Sequence, residues 1–446
     1  MDQSTSFGGR LARITRSETA RTGAIRVTSV VLGTLATAYI ARVLQPENFG
    51  LYAFVMSVVT IAAIPTTIGL RQTVTRETAY AMAREDTRHV YQIWSWAAKI
   101  ATGISIAIAV AMAAWAIWMA RDPAFSIALL CGAAVLVLLP APQILGGALQ
   151  GLGRVALSQA PQFVIRPLGL LVLLVLVGAL AGMDRLSVPS VFICYAGGVG
   201  LAAVAGGWFL WRHAPPRPNT DPDPGAPSHL NGRVLVLSAV SFGAIASIQL
   251  LNNNLAVLML GALSDNAEAG LYRAASTISA LVSFGLVVVN AVIMPQVARC
   301  HARDDYATLQ ALVTRGARLI TVLALIGLVV LVAGGQLALG LLFGDSYVAA
   351  YPVLVILAAG QLANALFGPV ALILNMTGHE KLTLMGVSMA AVLHVILNLI
   401  LVPAHGMTGA AVATAVTMLG WNLILAILLW RRASINSTCI SLKGQA

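Results

Sequence analysis

The sequence has few charged residues, and it lacks the cysteine and motif patterns that mark soluble enzymes and metalloproteins. Only 10% of its 446 residues are charged and 59% are hydrophobic, where an ordinary soluble domain carries about 25% charged residues. The four cysteines have no paired spacing, which excludes a disulfide framework and a zinc knuckle. No zinc-finger, RNA-binding or dinucleotide-binding motif occurs. We therefore expect an integral membrane protein with no cofactor, no metal site and no nucleic-acid partner.

Apolar stretches of about 20 residues, the length that crosses a hydrocarbon core, predict the membrane spans. We place twelve of them, at 24–43, 50–70, 93–119, 124–144, 159–180, 189–211, 233–260, 269–298, 317–343, 348–374, 383–402 and 407–430. Several prolines inside these stretches are expected to kink or break the helices. The chain is thus predicted to be an all-α, multi-pass membrane protein.

The distribution of cations predicts how the chain is oriented. Lys and Arg outnumber Asp and Glu by 27 to 16, and 21 of the 27 cations fall on one side of the predicted spans. Cations accumulate in cytoplasmic loops. Both termini are therefore predicted to be cytoplasmic.

A proline-rich connection divides the spans into two sets of six. It holds six of the 18 prolines, which is typical of a solvated, extended linker. The segment PENFGLY in the first half is similar to NAEAGLY in the second, which indicates a tandem repeat. Chance similarity between apolar segments is the alternative. The predicted organisation is a basic N-terminus at 1–23, a six-helix bundle at 24–211, the linker at 212–232, a second six-helix bundle at 233–430, and a tail at 431–446.

The predicted spans contain cations but no Asp or Glu. Seven cations lie in the spans, and four of them are close enough to span ends to reach the interface. Lys99, Arg166 and Arg273 lie deeper, where a cation is expensive unless it faces water or an anion. Arginine is well suited to phosphate and diphosphate groups. The pattern favours an anionic substrate, although snorkelling of the three side chains is the alternative.

Polar side chains in the second half could contact sugar hydroxyl groups or hold helices together. The candidates for sugar contact are Asn253, Asn254, Asn290 and Asn364. His394, one turn before Asn398, could carry a proton, or it could simply pack by hydrogen bonding. The sequence leaves these alternatives open.

Four segments resemble those of bacterial polysaccharide flippases, the Wzx-type members of the multidrug, oligosaccharidyl-lipid and polysaccharide exporter (MOP) superfamily. They are AYIARVLQPENFGLYAF, QGLGRVALSQ, LNNNLAVLMLGALSDNAEAGLYRAAS, and the stretch from Asn375 to Leu423. The resemblance covers roughly 24–432. Two departures stand out: Gln45 lies where the turn usually has Gly, and Asn252 to Asn254 lie where members often have an acidic residue.

The resemblance implies a MATE-like fold of two bundles around a cationic cavity that opens to each leaflet in turn. It implies transport of an undecaprenyl-diphosphate-linked oligosaccharide across the bacterial inner membrane for O-antigen, capsule or exopolysaccharide synthesis. By motif, Arg71, Arg76 and Arg273 would correspond to the cavity cations; Lys99 and Arg166 join them because of their predicted depth. Membrane lipid, a polysaccharide polymerase and chain-length machinery would be its partners.

Three alternatives to this function differ in class. A cation-coupled multidrug antiporter would need an embedded carboxylate, which the spans lack. A peptidoglycan-precursor lipid flippase usually has fourteen spans, two more than predicted here. A polysaccharide polymerase or ligase would need a catalytic acid on a sizeable outer loop, so we expect a transporter rather than an enzyme.

Overall fold

The computed structural model describes residues 3–67, 69–118, 123–182, 186–216, 232–303 and 305–433. Within these ranges all regular structure is helical, and ten helices or helical runs are long and apolar enough to cross a membrane. The prediction of an all-α, multi-pass membrane protein is confirmed. The number of twelve spans and the cytoplasmic position of the termini stay predictions, and most of the predicted linker and tail lies outside the described residues.

The chain folds into two compact units. Unit 1 comprises Met1–Ala36 and Val58–Ser247, and unit 2 comprises Thr37–Ser57 and Ile248–Ala446. Two helices contribute to both units: α1 (Gln3–Ala62) and α10 (Gly232–Leu263). A segment from the beginning of the chain, Thr37–Ser57, thus packs within the unit formed by the C-terminal helices. The predicted bundles at 24–211 and 233–430 stay a prediction.

The other helices of unit 1 follow in chain order. They are α2 (Ile64–Thr67), α3 (Leu70–Ala83), α4 (Thr87–Trp118), α5 (Pro123–Leu138), α6 (Pro140–Gly151), α7 (Val155–Ala160), α8 (Arg166–Ala181) and α9 (Val188–His213). A π-helical turn, Pro161–Ile165, joins α7 to α8.

The other helices of unit 2 also follow in chain order. They are α11 (Asn266–Ser279), α12 (Phe284–Ala302), α13 (Tyr306–Phe343), α14 (Tyr351–Leu366), α15 (Val370–Met376) and α16 (Glu380–Ala433). Short 3-10 turns at Ala280–Ser283 and Asp345–Ala350 precede α12 and α14.

Prolines begin helices as well as interrupting them. Pro140, Pro167, Pro189 and Pro352 occupy the first two positions of α6, α8, α9 and α14. At these positions the missing N–H group has no partner in the helix, and the fixed φ angle suits the first turn. Several predicted breaks are therefore helix starts.

Helix α1 is two helices joined at a strained residue, Gln45, which has φ 60° and ψ 166°. Only glycine adopts this conformation readily. The Gln45 side chain has one partner within α1 and one in a distant segment: its Nε2 donates to the Arg42 carbonyl at 3.1 Å, and its Oε1 accepts from Ser346 Oγ at 3.1 Å. The buried Tyr347 hydroxyl donates to the Ala41 carbonyl at 2.8 Å. These bonds hold this part of α1 in unit 2.

The two segments of the predicted repeat, PENFGLY and NAEAGLY, cross at equivalent glycines. A methyl group on Gly50 would overlap the Asn266 carbonyl oxygen, and one on Gly270 would overlap the Pro46 carbonyl oxygen. Each added carbon would also lie 3.0 Å from the other glycine's backbone nitrogen. The helices therefore meet backbone to backbone, which only glycine permits at this distance.

Helix α16 also consists of two helices, joined at Gly406 with φ 53° and ψ −134°. The Glu268 carboxylate accepts from the Met407 backbone N–H at 3.1 Å and from Ser264 Oγ at 2.6 Å. It thereby satisfies an otherwise unpaired donor at the start of the second helix. A side chain at Gly406 would overlap this carboxylate.

A candidate anion-binding site around Arg71

Close packing of α3 against α6 determines where Arg71 lies in unit 1. An added methyl carbon at Gly147 would be 2.8 Å from the Arg71 carbonyl oxygen, and one at Gly151 would be 2.5 Å from Thr78 Cβ. The Thr75 hydroxyl lies within hydrogen-bond distance of two carbonyl oxygens, that of Arg71 at 2.9 Å on its own helix and that of Gly147 at 3.1 Å on α6. Two glycines one turn apart on α6 thus let the helix backbones touch, and α6 side chains come within reach of Arg71.

Three glutamine side chains surround the guanidinium group of Arg71. Its Nη1 donates to Gln143 Oε1 at 3.4 Å and to Gln162 Oε1 at 3.2 Å, and its Nη2 donates to Gln150 Oε1 at 3.4 Å. The acceptors come from α6 and from the π-helical turn. A carboxamide oxygen orients the guanidinium but carries no formal charge. The positive charge of Arg71 is therefore held in place without being neutralised.

A second arginine, Arg26 of α1, adds its charge to this region. Its Cζ lies 4.2 Å from the centroid of the Phe163 ring. Arg71 belongs to α3, which is not among the ten apolar helices that could cross a membrane. Burial of its guanidinium, together with the positive charge of Arg26, lowers the pKa of Arg71. Neither arginine is paired with a carboxylate among the residues described. Two interacting cations without a counter-ion form a site that favours an anion.

The other predicted cations of unit 1 have different surroundings. Arg76 forms an ion pair with Glu77 at 2.6 Å, and 47% of its side chain is exposed. Lys99 is exposed on α4. The Arg166 Cζ lies 5.9 Å from the centroid of the Tyr195 ring. The assignment of Arg71, Arg76, Lys99, Arg166 and Arg273 to diphosphate binding stays a prediction.

Arg273 and the predicted sugar-contact residues belong to unit 2. Arg273 and Asn290 are half-buried, and Asn253 is exposed. Asn254 Nδ2 donates to the Leu250 carbonyl at 2.8 Å, and Asn364 Oδ1 accepts from Asn422 Nδ2 at 2.7 Å. These bonds show Asn254 and Asn364 in packing contacts; contact of the four asparagines with a sugar stays a prediction.

His394 lies in a buried hydrogen-bond network with Tyr272 and Thr414. The Thr414 hydroxyl oxygen lies 2.9 Å from the Ala410 carbonyl oxygen, 2.9 Å from Tyr272 OH and 3.2 Å from His394 Nε2. Nδ1 of His394 and Oδ1 of Asn398 have no partner among the described residues. The prediction that His394 carries a proton is neither supported nor opposed by this geometry.

Several residues of the site carry no signal that the sequence alone reveals. Gln143 and Gln150 of α6 and Gln162 of the π-helical turn are neutral side chains, and the backbone contact of α3 with α6 brings the two glutamines of α6 next to Arg71. Arg26 is one of the four cations predicted to reach the interface from a span end, and its Cζ lies over the Phe163 ring. The i, i+7 spacing of Gln143 and Gln150, on one face of a glycine-rich helix, is the sole pattern that could have suggested the site.

Comparisons with known proteins place these observations in context. The profile of a family described as "Polysaccharide biosynthesis protein" matches residues 19–301. The probable low-salt glycan biosynthesis flippase Agl15 of Haloferax volcanii is 25% identical over 164 residues, which is 36% of this chain and 34% of that protein. The chain thus matches only about a third of the length of this curated relative.

Solved structures of membrane transporters and a lipid flippase have the same fold at low sequence identity. A lipid II flippase MurJ in an inward closed conformation gives a TM-score of 0.73 at 11% identity, covering 91% of this chain and 86% of that one. An inward-facing multidrug resistance MATE family transporter of the MOP superfamily gives 0.67 at 13% identity, covering 92% and 98%. The MATE-like fold that the resemblance implied is confirmed.

Proposed function

Because the chain belongs to the polysaccharide biosynthesis protein family, we propose that it is a flippase that moves a lipid-linked glycan across a membrane. Agl15, which is similar to this chain over 164 residues, is named as a probable flippase, and this similarity supports the proposal. More specifically, we propose that the substrate is an undecaprenyl-diphosphate-linked oligosaccharide. We propose that it is transported from the cytoplasmic to the periplasmic leaflet of a bacterial inner membrane. The glycan would then serve O-antigen, capsule or exopolysaccharide synthesis, with a polymerase and chain-length machinery as partners.

The observation that carries the proposal is the uncompensated charge of Arg71. Its guanidinium contacts three carboxamide oxygens at 3.2 to 3.4 Å. A diphosphate offers charged oxygens, which make stronger and shorter hydrogen bonds to guanidinium than neutral acceptors do. The site can therefore exchange glutamine or water contacts for phosphate contacts when the substrate enters.

The physical need for such a site follows from the chemistry of the substrate. An unpaired charge is prohibitively expensive in hydrocarbon, and each sugar hydroxyl adds a desolvation cost. Arginine and carboxamide groups replace water around the diphosphate and lower this barrier. The protein need only bind the headgroup, change conformation and release it, so we propose alternating access without a catalytic step.

The same observation disfavours a multidrug antiporter. Such a carrier takes up lipophilic cations, which Arg71 and Arg26 would repel. The predicted spans also contain no Asp or Glu to carry a coupling ion. The chemistry of the site thus matches the charge of a lipid diphosphate and opposes that of a cationic drug.

Reconstitution tests the proposal. Purified protein in proteoliposomes should move a fluorescent undecaprenyl diphosphate that carries a short glycan to the opposite leaflet. The movement is measured by the accessibility of the fluorophore to a quencher. Arg71→Glu should abolish this movement because a carboxylate next to the three glutamines repels the diphosphate. Arg84→Glu is the matched control, since Arg84 lies at the end of the same helix with its Cζ 4.1 Å from the Tyr80 ring and away from the glutamines. Equal transport by the wild type and the Arg71→Glu protein would refute the assignment of the site.

A further inference from the structure

The π-helical turn Pro161–Ile165 connects the two arginines of the candidate site. Gln162 Oε1 accepts from Arg71 Nη1 at 3.2 Å, and the next residue, Phe163, has its ring centroid 4.2 Å from Arg26 Cζ. One turn therefore supplies a partner to each cation. Sequence reasoning assigned no role to either residue.

The turn is an uncommon structure with a local cause. The Arg166 N–H donates to the Pro161 carbonyl, five residues earlier. Pro161 and Pro167 have no N–H group of their own, so the ordinary α-helical ladder is interrupted on both sides of the turn. Pro161 is buried and lies close to α9, where a carbon added at Gly206 would be in ordinary van der Waals contact with Pro161 Cγ at 3.7 Å. Single π-helical turns of this kind are frequent at functional sites.

The position of Phe163 determines which part of Arg26 remains available to a ligand. An aromatic ring attracts a cation positioned over its face. The ring offers no conventional hydrogen-bond acceptor to the five N–H donors of the guanidinium. Arg26 is exposed and has no hydrogen-bond acceptor among the described residues. Its N–H donors are thus available to phosphate oxygens.

We propose that Phe163 is a positioning residue, which holds the Arg26 guanidinium against its ring so that the in-plane N–H groups bind the phosphate oxygens of the substrate beside Arg71. The inference rests on the proposed function for the identity of the anion. Phe163 itself touches no phosphate, and it acts only through Arg26.

Pyrophosphate binding to the full-length protein in lipid nanodiscs tests this role. Phe163→Leu removes the ring and keeps an apolar side chain, and we expect a rise of about two- to fivefold in the Kd for pyrophosphate. Phe163→Tyr keeps the ring and should bind like the wild type. Phe209→Leu, the same change on a half-buried ring of α9, is the matched control and should leave the Kd unchanged. If Phe163→Leu does not fold, Phe163→Met provides the same test.

A double-mutant cycle separates positioning from a general structural effect. In an Arg26→Ala background, Phe163→Leu should have no further effect on the Kd, because its action passes through Arg26. In transport, Phe163→Leu should raise KM and leave kcat near the wild-type value. Independent, multiplicative effects of the two substitutions on the Kd would overturn the inference, and so would an unchanged Kd in Phe163→Leu. Both results leave the proposed function intact, whereas a wild-type protein that binds no pyrophosphate would overturn both.

Discussion

Replacing Gln162 by Glu tests most directly whether Arg71 must remain uncompensated. The two side chains have nearly the same shape, so the substitution changes charge while the packing stays similar. A carboxylate oxygen 3.2 Å from Arg71 Nη1, where the carboxamide oxygen now lies, attracts the guanidinium by about 5 kcal/mol at an effective dielectric constant near 20. Desolvation and side-chain ordering reduce the net gain of such a charged hydrogen bond to about 1.5–3 kcal/mol.

This gain must be overcome when a diphosphate displaces the carboxylate. We therefore expect the affinity of Gln162→Glu for pyrophosphate to fall roughly ten- to hundredfold. Isothermal titration calorimetry on nanodisc-embedded protein measures the change, and the loss should be smaller at high salt, which screens the competing charges. Gln72→Glu is the matched control: Gln72 is exposed, follows Arg71 in sequence, and its Oε1 accepts from the Gly69 N–H at 3.1 Å. An affinity equal to the wild type in Gln162→Glu would refute the reasoning.

Three further predictions concern unit 2. Gln45→Gly should be more thermally stable than Gln45→Ala by about 1–3 kcal/mol, because both lose the Ser346 bond but only glycine relieves the backbone strain; the reverse order in melting curves would contradict the strain argument. Gly270→Ala should destabilise the folded protein by at least about 1–3 kcal/mol, because the added methyl group overlaps the Pro46 carbonyl oxygen. An unchanged melting temperature would show that the two helices can move apart at this contact. Glu268→Ala should lower stability by about 1–3 kcal/mol and Glu268→Gln by less, since Gln keeps an acceptor for the Met407 N–H; equal losses in melting would exclude the capping role.

The fold class could be predicted from the sequence because it depends on the average hydrophobicity of long stretches of the chain. Apolar stretches of membrane length dominate the chain, so the all-helical class and the approximate spans follow from composition. The turn at Gln45 was also visible, as a non-glycine residue where the family usually has glycine. The contacts made around this turn could not be predicted. The hydrogen bonds from Ser346 to Gln45 and from Tyr347 to Ala41 join positions about 300 residues apart. No local pattern in the sequence records such contacts.

The candidate site could be predicted only in part. Arg71 is predicted by the family resemblance, since a cation just beyond an apolar span is by itself equally typical of the positive-inside rule. Its three partners were missed because glutamine is neutral and common, and because the contacts depend on the glycines at 147 and 151, which read as ordinary small residues of a membrane helix. The π-helical turn was invisible because its prolines predict a break without specifying its geometry.

The use of glutamine around Arg71 explains how a transporter can bind an anion and still release it. If a glutamate held Arg71, the pair would be neutral, and a diphosphate would have to displace a charged hydrogen bond worth about 1.5–3 kcal/mol. If nothing held Arg71, its long side chain would lose conformational entropy of up to about 2 kcal/mol each time it bound a ligand. Carboxamide acceptors avoid both costs, since they order the guanidinium before the ligand arrives and are readily replaced by phosphate oxygens. In the proposed function, the absence of acidic residues from the predicted spans would leave the bound anion as the main counter-charge of the site.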